Sequence, residues 1–504
     1  MALFVYMLGG LGCIFLYIVA TTIDRFILTR RISKAYGCKP VHKLPQRERI
    51  IGYDLFREQR KAAAEKSFLD VLLARVKAHG NTYSQVILGR KMISTVEPEN
   101  VKTVLATNFQ DYCLGHRFPS FSPLLGRGIF TSDGAHWEHS RALVRPNFAK
   151  AQVADLDTFE TYIQQMIKKI PRDGSTVDLQ PLFFQLTLDS ATEFLFGESV
   201  NVLQSPEGSE QQLFGTAFDY AQSELRTRNR LGAFLPLYRN KRFDEACLRI
   251  HNFVDGIVYK ALEYRKLQQR NLGNEKGTGK YVFLTELSKE TDDPKRLRDE
   301  SLNLLLAGRD STAGLLGHTF HALARRPDVW EKLMAEVDTL GGARPDYDTL
   351  KSLKYVRNVL YEALRLWPAV PSNARTAIRD TILPRGGGPD RMAPILVTKG
   401  QSVTWSVFCM HRRKDLWGPD AEDFRPERWD EKRAIRIGWG YLPFNGGPRI
   451  CLGQQFSITE ASYTVVRLCQ QFRAVENRDA RPWVEGLGVT LSSLNGAKVA
   501  MISR

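Results

Sequence analysis

From Ala2 to Ile23 the chain carries no charged residue. A helix needs about 17–25 apolar residues to cross a bilayer, so this run is long enough for one span. No Lys or Arg precedes it, so the basic region of a cleaved signal peptide is missing and a retained anchor over residues 1–23 is predicted. Arg25, Arg30, Arg31 and Lys34 follow closely. The positive-inside rule puts that side in the cytoplasm, which predicts a single-pass protein with its bulk in the cytosol. Lys39-Pro40 and Leu44-Pro45 suit a stiff, non-helical connector, so residues 24–50 read as a basic, proline-containing linker and 51–504 as the body.

Within the body, Thr82 to Leu88 and Met92 to Val96 alternate like two short strands around a Gly89-Arg90 turn. From Pro98 to Glu290 the apolar spacing is mainly helical, broken by Gly and Pro. Asp299 to Ala324 predicts a long apolar helix without proline. Pro345 to Leu366 ends in another helix, stopped by Pro368. Val370 to Ser406 mixes Pro and Gly with short β-rich pieces, Gly453 to Phe472 predicts a last strong helix, and Val489 to Met501 a terminal hairpin. There is no internal repeat. The expected fold class is mainly α with small β-sheets.

A length of 504 residues would suggest three domains at about 150 residues each, but no linker interrupts the chain after residue 50. The net charge of +16 favours an acidic partner. The basic residues are dispersed, which argues against a nucleic-acid tail. The seven cysteines are odd in number and widely spaced, and no C-x-x-C occurs. That disfavours a disulfide framework, a zinc site or an iron–sulfur site, and fits reduced thiols facing the cytosol. Two glycine clusters fail as phosphate loops. Gly277-Thr278-Gly279-Lys280 has Asn274 at the place of the first glycine and Tyr281 where Ser or Thr belongs, so Gln268 to Lys280 reads as a polar surface loop. Arg385-Gly386-Gly387-Gly388-Pro389 opens no helix and reads as a turn.

The most informative stretch is Phe444-Asn445-Gly446-Gly447-Pro448-Arg449-Ile450-Cys451-Leu452-Gly453. Cys451 lies just before a predicted helix, where free N–H groups and the helix dipole stabilise a thiolate, the form that binds iron. Gly446 and Gly447 allow a tight bend that turns N–H groups towards the sulfur. Gly453 permits close approach to a flat cofactor, Phe444 can shield the sulfur, and Arg449 offers a cation to a carboxylate. An isolated cysteine on a turn is ordinarily just a small buried hydrophobe. The combined pattern instead closely resembles the haem-binding loop of the cytochromes P-450.

Other segments extend the resemblance over about residues 35–504. Glu362-Ala363-Leu364-Arg365 matches the family's E-x-x-R helix, with the pair on one face. Arg428, in Phe424-Arg425-Pro426-Glu427-Arg428-Trp429, looks like the third member of that charge network, whose implied role is to hold the cysteine loop. Trp137 and Arg141 resemble the W-x-x-x-R helix that meets a haem propionate, and Arg375 is a further implied propionate contact. The resemblance implies haem b with Cys451 as axial ligand, bound between a long distal helix and the cysteine-loop helix in one catalytic domain.

Ala307-Gly308-Arg309-Asp310-Ser311-Thr312 resembles the family's oxygen-activation motif within the long helix. Oxygen activation consumes protons while an electron-rich thiolate assists from the other side. Asp310, Ser311 and Thr312 are the implied proton-delivery residues. Ser311 stands at the usual Thr position, which keeps the hydroxyl but loses the methyl that restricts its rotamer. Consecutive side chains turn by about 100°, so the three converge only if the helix opens near Gly308.

Ala307-Gly308-Arg309-Asp310, the stretch Leu383 to Asp390, and Val370-Pro371 with Asn373 and Arg375 resemble the fungal alkane and fatty-acid hydroxylase branch. This implies insertion of one oxygen atom from O2 into a terminal or near-terminal C–H bond of a long-chain fatty acid or alkane. Ala307 replaces the Glu through which some relatives bind haem covalently, so no ester is expected. The implied substrate walls are Cys113 to Phe130, Phe214 to Leu225, Leu302 to Leu306, Val370 to Thr376 and Leu491 to Leu494. An aliphatic or polyketide-type specialised metabolite of a fungal pathway fits the same walls. A haem-thiolate sensor without turnover would need Cys451 but not the distal acid and hydroxyls. The chain has no flavin or nicotinamide fingerprint, so electrons must come from another protein. The implied donor is NADPH-cytochrome P-450 reductase, with cytochrome b5 as an additional one, at the endoplasmic reticulum membrane.

Overall fold

The computed structural model describes residues 2–148, 155–270, 282–432 and 436–504, without the side chains of 2–12, 14, 18, 233 and 267–270. The glycine cluster 277–280 and most of the surface loop read around it lie outside the described residues. Among the described residues helices dominate, with four small sheets beside them.

The first helix, Ala2–Ala35, runs twelve residues past the predicted anchor and takes Arg25, Arg30, Arg31 and Lys34 with it. The expected non-helical connector therefore begins only after it. Among the described residues no helix is long and apolar enough to cross a membrane. The connector lies against the body: Val41 bridges to Gly387, Lys43 bridges to Ser84, and Leu44 packs with Leu55 and Tyr83.

The long helix spans Pro294–Leu323, starting earlier than its apolar pattern because Asp293 caps it and Pro294 opens it. It is continuous through Gly308. It is buried nearly all round, packing along the helix Leu179–Phe196 on one side and against Gln454–Gln471, the cysteine-loop helix, on another. Gly314 marks a close crossing, since a Cβ there would stand 2.6 Å from the Leu491 carbonyl oxygen.

A five-stranded sheet runs in the order Thr82–Ile87, Arg90–Thr95, Ser402–Ser406, Ser372–Ala377, Tyr112–Cys113. The first hairpin turns at Leu88-Gly89, one residue before the predicted place, with both residues at positive φ. The expected terminal hairpin does not form. Leu491–Ser493 pairs with Glu485–Leu487, whereas Lys498–Ser503 joins Phe472–Asn477 and Thr176–Asp178. The triple-glycine stretch ends the strand Thr381–Gly387 and turns, as its sequence suggests. Gly314→Ala should lower stability by about 1–3 kcal/mol, the scale of an overpacked core. Urea unfolding of the two proteins measures the difference, and an unchanged midpoint would mean the crossing is looser than described.

Candidate active site

Glu362 lies on the helix Lys354–Leu366 and is fully buried, as is Arg365 one turn later. Arg365 donates to both Glu362 oxygens, from Nη2 at 2.8 Å and Nε at 2.9 Å. Arg428 Nε donates to Glu362 at 2.8 Å, and the Arg425 N–H and Trp429 Nε1 add 2.9 and 3.2 Å bonds. The predicted three-residue network therefore closes, with two further donors that the motif does not reveal.

Arg365 also reaches the carbonyls of His411 at 2.9 Å and Asp423 at 2.9 Å. His411 was not singled out from the sequence, yet it is the link to the cysteine loop. Its Nδ1 lies 3.0 Å from the Arg365 carbonyl and its Nε2 accepts the Leu442 N–H at 2.9 Å. Those two contacts require a neutral ring protonated at Nδ1, and burial agrees, pushing its pKa down to about 3.

The loop from Leu442 to Gly453 closes when the Cys451 N–H donates to the Phe444 carbonyl at 3.0 Å. Its bend comes from Asn445 and Gly447, at φ 62° and 66°, while Gly446 is extended. Gly447 has no room for a side chain, since a Cβ would fall 1.9 Å from the Leu105 carbonyl oxygen. Gly446 is needed for a different reason, as its Cβ would meet the Trp439 ring at 2.6 Å. A Cβ on Gly453 would meet only ordinary contact with Phe148. Cys451 opens into a cavity of about 620 Å³ that Phe444 also lines. Burial raises the Cys451 thiol pKa, opposed by the Gly453 N–H and the Arg141 charge.

Beside Cys451 the cavity wall is strongly cationic. Trp137 and Arg141 stand on the helix Gly134–Val144; Arg141 donates to the Ile450 carbonyl at 3.0 Å and so braces the loop itself. Arg449 stacks 4.2 Å from the Trp137 ring centre and pairs with Asp133 at 2.8 Å. Arg375 is buried, feels the charges of two other guanidiniums, Arg117 and Arg449, and among the described residues donates hydrogen bonds only to Asn373 and the Ala374 carbonyl. Arg117 was missed from the sequence because nothing in its spacing ties it to the other arginines. Burial lowers the pKa of all three, and among the described residues Asp133 is the only carboxylate whose charge reaches them. Three buried cations sharing one acid fit an anionic cofactor edge, and the thiol below fits a metal.

From the long helix, Ala307, Gly308, Ser311 and Thr312 reach the same cavity. Ser311 donates back to the Ala307 carbonyl at 2.7 Å, and Thr312 donates to Ser457 of the cysteine-loop helix at 2.9 Å. Asp310 does not join them. The unopened helix turns it to the far side, where it accepts from Arg309 at 3.1 Å, and Arg309 also pairs with Asp219 on the helix Glu210–Leu231. Burial holds the Asp310 carboxyl above the usual carboxylate range against the pull of Arg309.

Three of the five implied substrate walls line the cavity: residues within 113–130, 302–306 and 370–376. Two do not. Phe214, Phe218 and Leu225 turn into a separate core beside the helix Lys241–Arg270, with the Phe214 and Phe253 rings 4.4 Å apart. The polar residues Arg226, Asn229 and Arg230 face the cavity in their place. Leu491 packs on the long helix at Gly314, which leaves residues 487–490 as the wall.

A mainly helical body that holds a thiol and a set of buried cations at one end of an apolar cavity defines a haem-thiolate protein. The chain belongs to the cytochrome P450 family, whose model matches residues 51–496. It is 48% identical to the cytochrome P450 monooxygenase himC of Aspergillus japonicus over 92% of this chain and 84% of that protein. It is 44% identical to cytochrome P450 52A12 of Debaryomyces hansenii over 93% and 92%, and 48% identical to cytochrome P450 52A5 of Candida maltosa over 78% and 76%. The chain is thus a haem-dependent monooxygenase that uses O2, a redox partner and an organic substrate.

Glu362→Gln should destabilise the protein by about 3–5 kcal/mol, because it leaves the buried Arg365 without its counter-charge and Arg428 with Asp420 alone. Chemical unfolding tests this, and a variant of unchanged stability would contradict a structural role for the network.

Proposed function

We propose that this monooxygenase hydroxylates a long aliphatic chain at or near its terminus, as for a fatty acid or alkane. The observation that carries the reading is an apolar cavity that ends at Cys451. In this reading Cys451 would ligate the iron of haem b, and Arg141, Arg375, Arg449 and Arg117, with Trp137, would hold its acidic groups. Phe444, Gly446 and Gly453 shape the loop, and Glu362, Arg365 and Arg428 hold it. Bound haem supplies O2 activation, and the protein supplies position, dryness and protons.

Ser311 and Thr312 offer hydroxyls at the cavity wall. Asp310 faces away, so it serves as an acid reached only through water or by movement of the helix. Asp219, at the outer end of its ion pair with Arg309, is more than half exposed and gives that route an outlet to solvent. The net charge of +16 supports docking of an acidic flavoprotein, NADPH-cytochrome P-450 reductase, with cytochrome b5 as a second donor. We further propose an anchor over residues 1–23, a connector over 24–50 and a cytosolic catalytic domain over 51–504, at the endoplasmic reticulum.

The test is turnover of full-length holoenzyme with reductase, NADPH and hexadecane or palmitate, read by product mass. A terminal or near-terminal alcohol is expected; no oxidised product from either would remove the reading. In the double variant Ser311→Ala, Thr312→Ala, haem binding should persist while product per NADPH falls by about tenfold or more. An unchanged ratio would show that these hydroxyls do not deliver the protons.

A further inference from the structure

The end of the cavity lined by residues 59–90 carries a second set of cations that oxygen chemistry does not use. The helix Glu210–Leu231 closes with Arg226-Thr227-Arg228-Asn229-Arg230. A spacing of four puts Arg226 and Arg230 on one face. Both guanidiniums sit over the Phe68 ring, each 5.0 Å from its centre, so their direction is fixed by packing. Arg90, from the strand Arg90–Thr95, and Arg60, from the helix Tyr53–Ala64, line the same region.

Among the described residues, no carboxylate forms an ion pair with any of these four arginines. Glu485 is the acid whose charge reaches Arg226 and Arg230, but its oxygens are occupied by the Phe68 and Leu69 N–H groups at 2.9 and 2.7 Å. Arg230 Nη2 is buried without a hydrogen-bond partner. Burial lowers the pKa of Arg226 to about 9 and pushes Arg90 and Arg230 below their ordinary value. Desolvated guanidiniums with unspent donors are costly alone and match a planar two-oxygen anion. The arginines and Cys451 line one cavity, whose walls also include Phe121, Leu304 and Val489, which suit an alkyl chain.

We propose that Arg226, Arg230 and Arg90 form a carboxylate-anchoring subsite that holds the acid end of an aliphatic substrate while its tail points towards Cys451. The inference rests on the aliphatic reading above and deepens it. The substrate binds as its carboxylate anion, and oxidation falls at the end remote from the acid because the acid is tethered away from Cys451.

The test is titration of the holoenzyme in neutral detergent with palmitate, methyl palmitate and hexadecane, followed by the haem absorbance change. Palmitate should bind about tenfold or more tighter than its ester, the scale of a charge-assisted contact. In Arg226→Gln, Arg230→Gln that ratio should fall close to one while ester affinity holds, which also shows that the variant is folded. If the double variant does not load haem, Arg90→Gln should lower the ratio about threefold. Equal affinity for acid and ester in the unmodified enzyme, or a ratio preserved in the variants, overturns the subsite. Loss of binding to anionic vesicles with the ratio preserved also overturns it, in favour of a lipid headgroup as the anion. Ester binding without acid preference removes only the anchor, whereas failure of all three ligands removes the aliphatic reading and the anchor with it.

Discussion

A carboxylate without access to water must be matched by charge and hydrogen bonds, and Glu362 is such a group. It is satisfied by the side chains of Arg365, Arg428 and Trp429 and by one backbone N–H. Each of those donors belongs to a segment that must already be in place. Arg365 then gathers carbonyls from 411 and 423, and His411 passes the constraint to the first residue of the cysteine loop. The position of Cys451 is thus the last link of a chain that begins at a buried acid. Once such a network is half-built, losing one member costs more than never having had it.

The cavity joins two unlike environments. At one end Arg117, Arg375 and Arg449 converge near the thiol with Asp133 as the single acid among the described residues, which suits a bound anionic cofactor. At the other end Arg226 and Arg230 are stacked on Phe68 and face apolar walls. The long helix separates its own functions by rotation. Ser311 and Thr312 reach the cavity, and Asp310 is turned into an ion-pair system that runs towards the surface. The Thr312–Ser457 bond also ties that helix to the one that follows Cys451, so the two walls are held to one another directly.

Local features were the ones legible in the sequence. The Glu362–Arg365 pair could be read because a spacing of three keeps both on one helical face, and the cysteine loop because an aromatic, glycines, an arginine and a cysteine fall within ten positions. The long helix was legible by its apolar helical pattern without proline, though its start at Pro294 depended on a cap. Non-local choices were not legible. Leu491–Ser493 and Lys498–Ser503 look like two arms of one hairpin, but each finds a partner strand elsewhere. The helix Glu210–Leu231 has an apolar face that suits either a cavity or a core, and packing against Lys241–Arg270 decided for the core. Arg117, His411 and Arg226 share this difficulty, since each gains its role from residues far away in the chain. The resemblance groups Asp310 with Ser311 and Thr312, which could converge only on an opened helix, and the continuous helix turns Asp310 away from the two hydroxyls.

The central claim is that Cys451, placed by this network, is the iron ligand. The direct measurement is the carbon monoxide difference spectrum of the reduced holoenzyme and of Cys451→Ala. The account predicts a Soret band near about 450 nm, as for a haem-thiolate centre, in the first protein and its loss in the second. A band that persists in Cys451→Ala would contradict it.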